Sequence, residues 1–294
     1  MITAVSAALV VTPGVAHAIN DQVVSWSSSN AHGQDNVPAT LSSGVTAISA
    51  GSVHALAVKN GGVVAWGANT GGQSSVPAAA TSGVTAVAAG VQHSLALKNG
   101  GVLAWGTGMA TAVPAAATSG VIGIAAGFDM STALKSDGSI VAWGNAPVGL
   151  NGQTGVASIS GNAFDVLLLR ADRTIKNYSI TSAGPVAPTP DTSTLLITQV
   201  AAGVSVHMAL TTSGHAFAWN LGGGTYSLPS AMTSNVKAVS ASWSYLLTLG
   251  YDGAVRVLRL VDGGLETTPA DLTNGVDKAV LSIDSSDRWV VAIK

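Results

Sequence analysis

Cysteine is absent from this 294-residue chain, and charged side chains make up only 9% of it. Without a thiol there is no cysteine nucleophile, no cysteine-ligated metal and no disulfide, so stability must come from packing. Soluble domains usually carry about 25% charge, so this surface must be solvated by hydroxyls, amides and main chain. The 12 Lys and Arg against 14 Asp and Glu leave a formal charge of −2. That balance suggests neither a basic nucleic-acid stripe nor a polybasic membrane patch. Beyond the N-terminal region no stretch approaches the ~20 apolar residues of a membrane span, so no membrane insertion is expected. What is plentiful is Gly, with 35 residues, together with Ala, Ser, Thr and Val. Because Gly costs up to about 1 kcal/mol in a helix interior, this mixture fits a turn-rich all-β fold.

Residues 1–18, MITAVSAALVVTPGVAHA, are apolar and end in Ala16-His17-Ala18, the small-x-small form of a signal-peptidase site. A signal peptide should open on Lys or Arg, and no charged side chain precedes Asp21. Either a longer leader or a short apolar N-terminus of another kind accounts for that. The expectation is a signal peptide over 1–18, export, and one domain over 19–294.

The chain repeats. Residues 43–67 read SGVTAISAGSVHALAVKNGGVVAWG, residues 82–106 read SGVTAVAAGVQHSLALKNGGVLAWG, and residues 119–144 form a third copy. The aromatic near the end of each unit marks weaker copies: Trp26, Trp66, Trp105, Trp143, Tyr178, Trp219 and, most degraded, Leu258. These marks make seven units of 35 to 41 residues. Within a unit, Val84 to Ala88 and His93 to Leu97 alternate as strands do, Asn99-Gly100 reads as a tight hairpin turn, and Val102 to Trp105 is a third strand. A short fourth strand is expected around Gln73 to Val76. Four strands per unit in seven units describes an all-β, seven-bladed β-propeller of four-stranded antiparallel blades. The chain opens on a third strand near Gln22 to Trp26 and closes on a first and second, so one blade is expected to combine both termini and close the ring.

The unit A-G-x-x-H-S-L-A-L-K-N-G-x-V-x-A-W-G, with N-x-x-G-Q at 30–34 and 69–73, resembles the repeat of the regulator of chromosome condensation family, whose fold is a seven-bladed propeller. The recurring order S-G-V, V-P-A, K-N-G is most similar to that of the family's secreted β-lactamase inhibitory proteins. The similarity is strong over 20–145 and diluted beyond. It implies aromatic pairs in the loop after A-G that press on a lactamase. Here those places hold Ser52-Val53, Val91-Gln92, Phe128-Asp129, Ala163-Phe164, Val204-Ser205, Ser242-Trp243 and Asp287-Arg288, only some of them aromatic. The face is therefore retuned for another partner or weaker for the same one.

In an up-and-down blade the loop between strands one and two shares a face with the loop between three and four. That face collects the residues that do not repeat, as a binding surface on a scaffold would. The candidate partner-binding residues are Phe128, Asp129, Phe164, Trp243, Asp287, Arg288, Asn69 and Tyr226, with neutral drift in exposed loops as the alternative reading. His54, His93 and His207 read either as a metal or proton-relay set or as one internal hydrogen bond repeated in each blade. Their placement at equivalent positions favours the second. No G-x-S-x-G, H-E-x-x-H, phosphate loop or calcium loop occurs, so no catalytic residue, metal or cofactor is expected. The expected function is a secreted, non-catalytic protein-binding module, monomeric unless part of an assembly, with β-lactamase inhibition as its most specific form. The alternative is a cell-surface or carbohydrate recognition module, as in a subunit of an exported assembly.

Overall fold

The computed structural model describes residues 22–27, 30–182, 184–186, 190, 192, 194–266, 282–285 and 289–293. The expected signal peptide, Asp287 and Arg288 lie outside them.

The described residues form seven antiparallel sheets and no α-helix. Sheet 1 comprises Val45–Ala50, His54–Lys59 and Gly62–Gly67, and sheet 2 comprises Val84–Ala89, His93–Lys98 and Gly101–Gly106. Sheet 3 follows with Val121–Ala126, Met130–Lys135 and Ile140–Gly144. Sheet 4 is Val156–Gly161, Asp165–Arg170, Ile175–Ser179 and Pro185–Val186. Sheet 5 is Ile197–Ala201, Val206–Thr211, Ala216–Asn220 and Thr225–Tyr226. Sheet 6 is Val236–Ala241, Tyr245–Gly250, Val255–Arg259 and Leu265–Glu266. Sheet 7 joins the two ends of the chain: Val23–Ser27 pairs with Trp289–Ile293, which pairs with Ser282–Ser285.

The expectation of four strands in every sheet needs correcting, since among the described residues only sheets 4, 5 and 6 have a fourth. In sheet 1 the Gln73 segment is taken by its neighbour instead. The Gln73 carbonyl accepts the Trp105 indole N–H at 2.8 Å and the Ser94 hydroxyl at 2.8 Å, both from sheet 2. A carbonyl engaged by two side chains of the next sheet is not free to extend a ladder. Pro77 then starts a 3-10 turn.

Strict alternation is also corrected. In sheets 1, 2 and 3 the first strands are buried at every position but one, and the second strands at all but their last. Both faces are covered because the sheets stack: the first strands touch in chain order, and Ser282–Ser285 touches both Val236–Ala241 and Val45–Ala50. The one exposed residue of the first strand, such as Thr46 or Thr85, is the extra residue of a β-bulge, between Val45 and Ala47 or between Val84 and Ala86.

The core is divided into clusters that lie between neighbouring sheets. Trp105 packs with sheet 1 residues such as Leu56 and Val58, and Trp143 with Leu95 and Leu97 of sheet 2. Trp66, Tyr178, Trp219 and Leu258 occupy the corresponding place in other clusters. The repeating aromatic is thus inter-sheet packing. In three of the sheets the indole N–H is satisfied in the same way, Trp66 bonding the Gln34 carbonyl at 2.7 Å, Trp105 that of Gln73 at 2.8 Å and Trp143 that of Ala110 at 2.7 Å.

Candidate functional site

The loops between first and second strands are tied to one another across the sheets. The N–H groups of Ser52, Val91, Phe128 and Val204 donate to the carbonyls of Gly90, Gly127, Ala163 and Ser242, each in the next sheet, at 3.4, 3.2, 3.1 and 3.3 Å. Between sheets 4 and 5 the Asn162 amide takes over, donating to the Gly203 carbonyl at 3.0 Å. This close approach explains the glycine of the A-G pair. A Cβ on Gly51 would lie 2.6 Å from the Gly90 carbonyl oxygen, so only Gly fits.

The segments that follow the third strands join the same face. Ala68, Thr107, Asn145, Ile180, Leu221 and Leu260 donate their N–H groups to Val53, Gln92, Asp129, Phe164, Ser205 and Ser244, the longest of these bonds being 3.3 Å. The face is therefore a hydrogen-bonded collar of loops on a stack of sheets.

On this collar stand Phe128 and Trp243, 43% and 40% exposed. Phe164 reaches Trp243 edge to face, with ring centroids 6.4 Å apart and planes at 62°. Both loops are pinned. Asn162 Oδ1 accepts from the N–H groups of Phe164 and Asp165 at 2.8 and 2.9 Å, and its amide also donates to Asp165 Oδ2 at 3.2 Å. Ser242 Oγ accepts the Tyr245 N–H at 3.1 Å. Burial raises the pKa of Asp165, the hydrogen bonds from Ser179 and Asn162 opposing it.

The other candidates divide. Asp129 holds the neighbouring loop, its Oδ1 accepting the Ala110 N–H at 3.2 Å. Asn69 is consumed within its own turn, accepting the Ser74 N–H and donating to Ser75 Oγ, both at 3.0 Å. Tyr226 is half-buried against the cluster between sheets 5 and 6. Four apolar residues outside the candidate set also project from this face: Met109, Val148, Leu221 and Val261. Of the ten exposed large hydrophobics among the described residues, six stand on the collar. The positions that match Leu221 in other units hold residues as different as Ala68, Asn145 and Ile180, so the repeat gives no signal for it.

The histidines are structural, but not as expected. Ser94 gives its one proton to the Gln73 carbonyl, so it can only accept from His54 Nε2, 2.9 Å away. His93 and Ser131 repeat this at 3.1 Å. These bonds run to the next sheet and not within one blade. His207 is not equivalent to the other two. It pairs with Trp219 as Ser94 pairs with Trp105, whereas His54 pairs with Gly67. Its Nε2 meets Asn177 Nδ2 at 3.2 Å. Burial lowers the pKa of His54 to about 3 and those of His93 and His207 to about 4.

No family model matches the sequence, and no curated protein does. Solved structures do match. Prp20p from Saccharomyces cerevisiae aligns with a TM-score of 0.71 at 14% identity, over 92% of this chain and 91% of that one. Human WBSCR16 aligns at 0.58 and 15%, over 83% and 84%. The CRINKLY ectodomain of the Arabidopsis thaliana receptor kinase ACR4 aligns at 0.57 and 15%, over 76% and 82%. The yeast protein, also solved as yeast RCC1 bound to Kap60, gives the architecture its name: the chain has the fold of an RCC1-like β-propeller.

Proposed function

We propose that this chain is an exported, non-catalytic propeller of seven blades, closed by strands from both ends, that binds a protein partner on the loop collar. The observation that carries the reading is the concentration of exposed apolar side chains there, on loops hydrogen-bonded into one rigid surface. Contiguous apolar area rimmed by polar loops is what protein interfaces use, with aromatic anchors at the centre. Seven sheets and the pairing of Val23–Ser27 with Trp289–Ile293 support the closed ring. The likeness to Prp20p, a structure described with its binding to Gsp1p and histones, supports a partner that is a protein.

Inhibition of a class A β-lactamase is the most specific form of this reading. Titrating the purified chain against a panel of these enzymes with a chromogenic substrate tests it directly. Inhibition at micromolar protein, lost in Trp243→Ala, is the expected result for that form; its absence across the panel leaves the general one. For the general form, a partner captured from culture supernatant should bind Trp243→Ala and Phe128→Ala about 1 to 3 kcal/mol more weakly. Equal weakening by changes in the K-N-G turns would place the site on the other face.

A further inference from the structure

The face opposite the collar carries the turns between second and third strands, and it gathers the positive charge. In sheets 1 to 4 the second strands all end on a cation at the same register: Lys59, Lys98, Lys135 and Arg170. Arg173 and Lys176 stand beside the last of these. Those six are all the Lys and Arg between residues 45 and 182, and every one is at the turn end of its sheet. Within residues 45–182 two carboxylates, Asp137 and Asp172, accompany them at that end, so six cations against two carboxylates leave +4 at the turn end over that range. The remaining carboxylates of the same sheets, Asp129 and Asp165, are at the collar end. Sheets 1 to 4 are thus polarised between their two ends.

The row is held in place. Lys98 Nζ donates to the Ala79 carbonyl at 2.7 Å and Lys135 Nζ to that of Ala116 at 2.8 Å, while Lys59 Nζ bonds the Thr40 carbonyl. These carbonyls orient the ammonium groups without cancelling their charge. No Asp or Glu occurs from residue 36 to residue 128, so Lys59 and Lys98 have no carboxylate nearby in sequence, and none pairs with them among the described residues. The turns form a continuous surface, since Val84 and Val121 donate their N–H groups to Gly61 and Gly100 of the preceding sheet at 2.8 Å.

We propose that this turn face binds a linear polymer of phosphate groups, which would run along the row from Lys59 to Arg170. Cations repeated at one register in stacked sheets match a ligand whose charges repeat along a line, better than a single ion. A nucleic acid strand is disfavoured, because none of the turns of sheets 1 to 4 carries an aromatic residue on which bases could stack. The surface is separate from the collar, and the proposal stands or falls independently of the protein partner.

The test is calorimetric titration of the full chain with long-chain inorganic polyphosphate. Binding is expected at about 50 mM salt and, for about four phosphate contacts, should weaken roughly fifty-fold by about 200 mM. The triple variant Lys59→Gln, Lys98→Gln, Lys135→Gln should lose at least tenfold in affinity, on the order of 1.4 kcal/mol. Lys→Arg at the same three positions should retain binding, which separates charge from any loss of the carbonyl contacts. Trp243→Ala should leave it unchanged. No binding at low salt, or a triple variant that binds like the parent, overturns the proposal. So does competition by orthophosphate at equal total phosphate, or a single-stranded oligonucleotide of equal charge that binds as tightly.

Discussion

Phe164 and Trp243 meet edge to face at 6.4 Å, although they belong to sheets 4 and 6 and sheet 5 lies between them. Two loops that are not neighbours in the stack therefore share one aromatic contact at the collar. The contact fixes both rings in one orientation before any partner arrives, which reduces the side-chain entropy lost on binding.

An aromatic pair of this geometry is worth about 0.5 to 1.5 kcal/mol beyond its area. A double-mutant cycle of Phe164→Ala and Trp243→Ala, read by urea unfolding, should return a coupling energy in that range. Additivity within about 0.3 kcal/mol would show that the rings touch without supporting one another.

Ser94 joins three groups of two sheets: it accepts from His54 and donates to the Gln73 carbonyl, which also accepts from Trp105. Ser94→Ala leaves the buried His54 N–H without its acceptor. A loss of about 2 kcal/mol is expected, since a buried donor left unpaired costs about 1 to 3 kcal/mol. Ser131→Ala should behave alike, because Ser131 bridges His93 and Ala110 in the same way. Thr85→Ala, at the exposed bulge, should change stability by less than about 0.5 kcal/mol in the same denaturant series.

How much of this was legible in the sequence follows from what repeats. The Trp spacing and the A-G, K-N-G and V-P-A signals are backbone and packing requirements, so they recur wherever the requirement recurs. Asn99 and Gly100 take φ of 51° and 75°, as their hairpin turn requires. The missing fourth strands were not legible, because the Gln73 carbonyl is claimed by side chains of the next unit, and a pattern read within one unit does not show its neighbour's demands. The same blindness misplaced the histidine bonds. Residue type alone aligns His207 with His54 and His93, whereas register puts Val206 in the row of His54. At the collar, Phe128, Phe164 and Trp243 stand out in the sequence because aromatics are rare here. Val148, Leu221 and Val261 do not stand out, because a single Val or Leu in a loop carries no pattern.

Asp165 is buried with its pKa raised, so the sign is that of a group that prefers to be protonated in the folded state. Its contribution is present below the ordinary carboxylate value near 3.8 and is lost as pH rises through the folded value. At neutral pH the ionised form opposes folding. Asp165→Asn, which keeps the shape and an oxygen for the Asn162 amide, should raise Tm near pH 7 and lose that advantage below about pH 4. A lower Tm at neutral pH would mean that Asn162 needs a charged partner to hold the Phe164 loop.

The three buried histidines give the opposite slope over a different window. Their folded values of about 3 for His54 and about 4 for His93 and His207 lie below the ordinary 6.5, so the unfolded chain takes up protons that the folded chain refuses. Full stability is present above about pH 6.5 and drains away as pH falls toward the folded values. At about pH 5 each histidine should account for about 2 kcal/mol of that loss, one pKa unit being worth about 1.4 kcal/mol. The chain should therefore begin to lose stability in mild acid, below about pH 6.5. Thermal melts from about pH 7.5 to about pH 5 should show a falling Tm for the parent and a flatter profile for His54→Gln with His93→Gln, whatever the variant's own starting Tm. A parent profile already flat across that range would mean that these imidazoles accept protons in the folded state, which their burial against Ser94 and Ser131 should forbid.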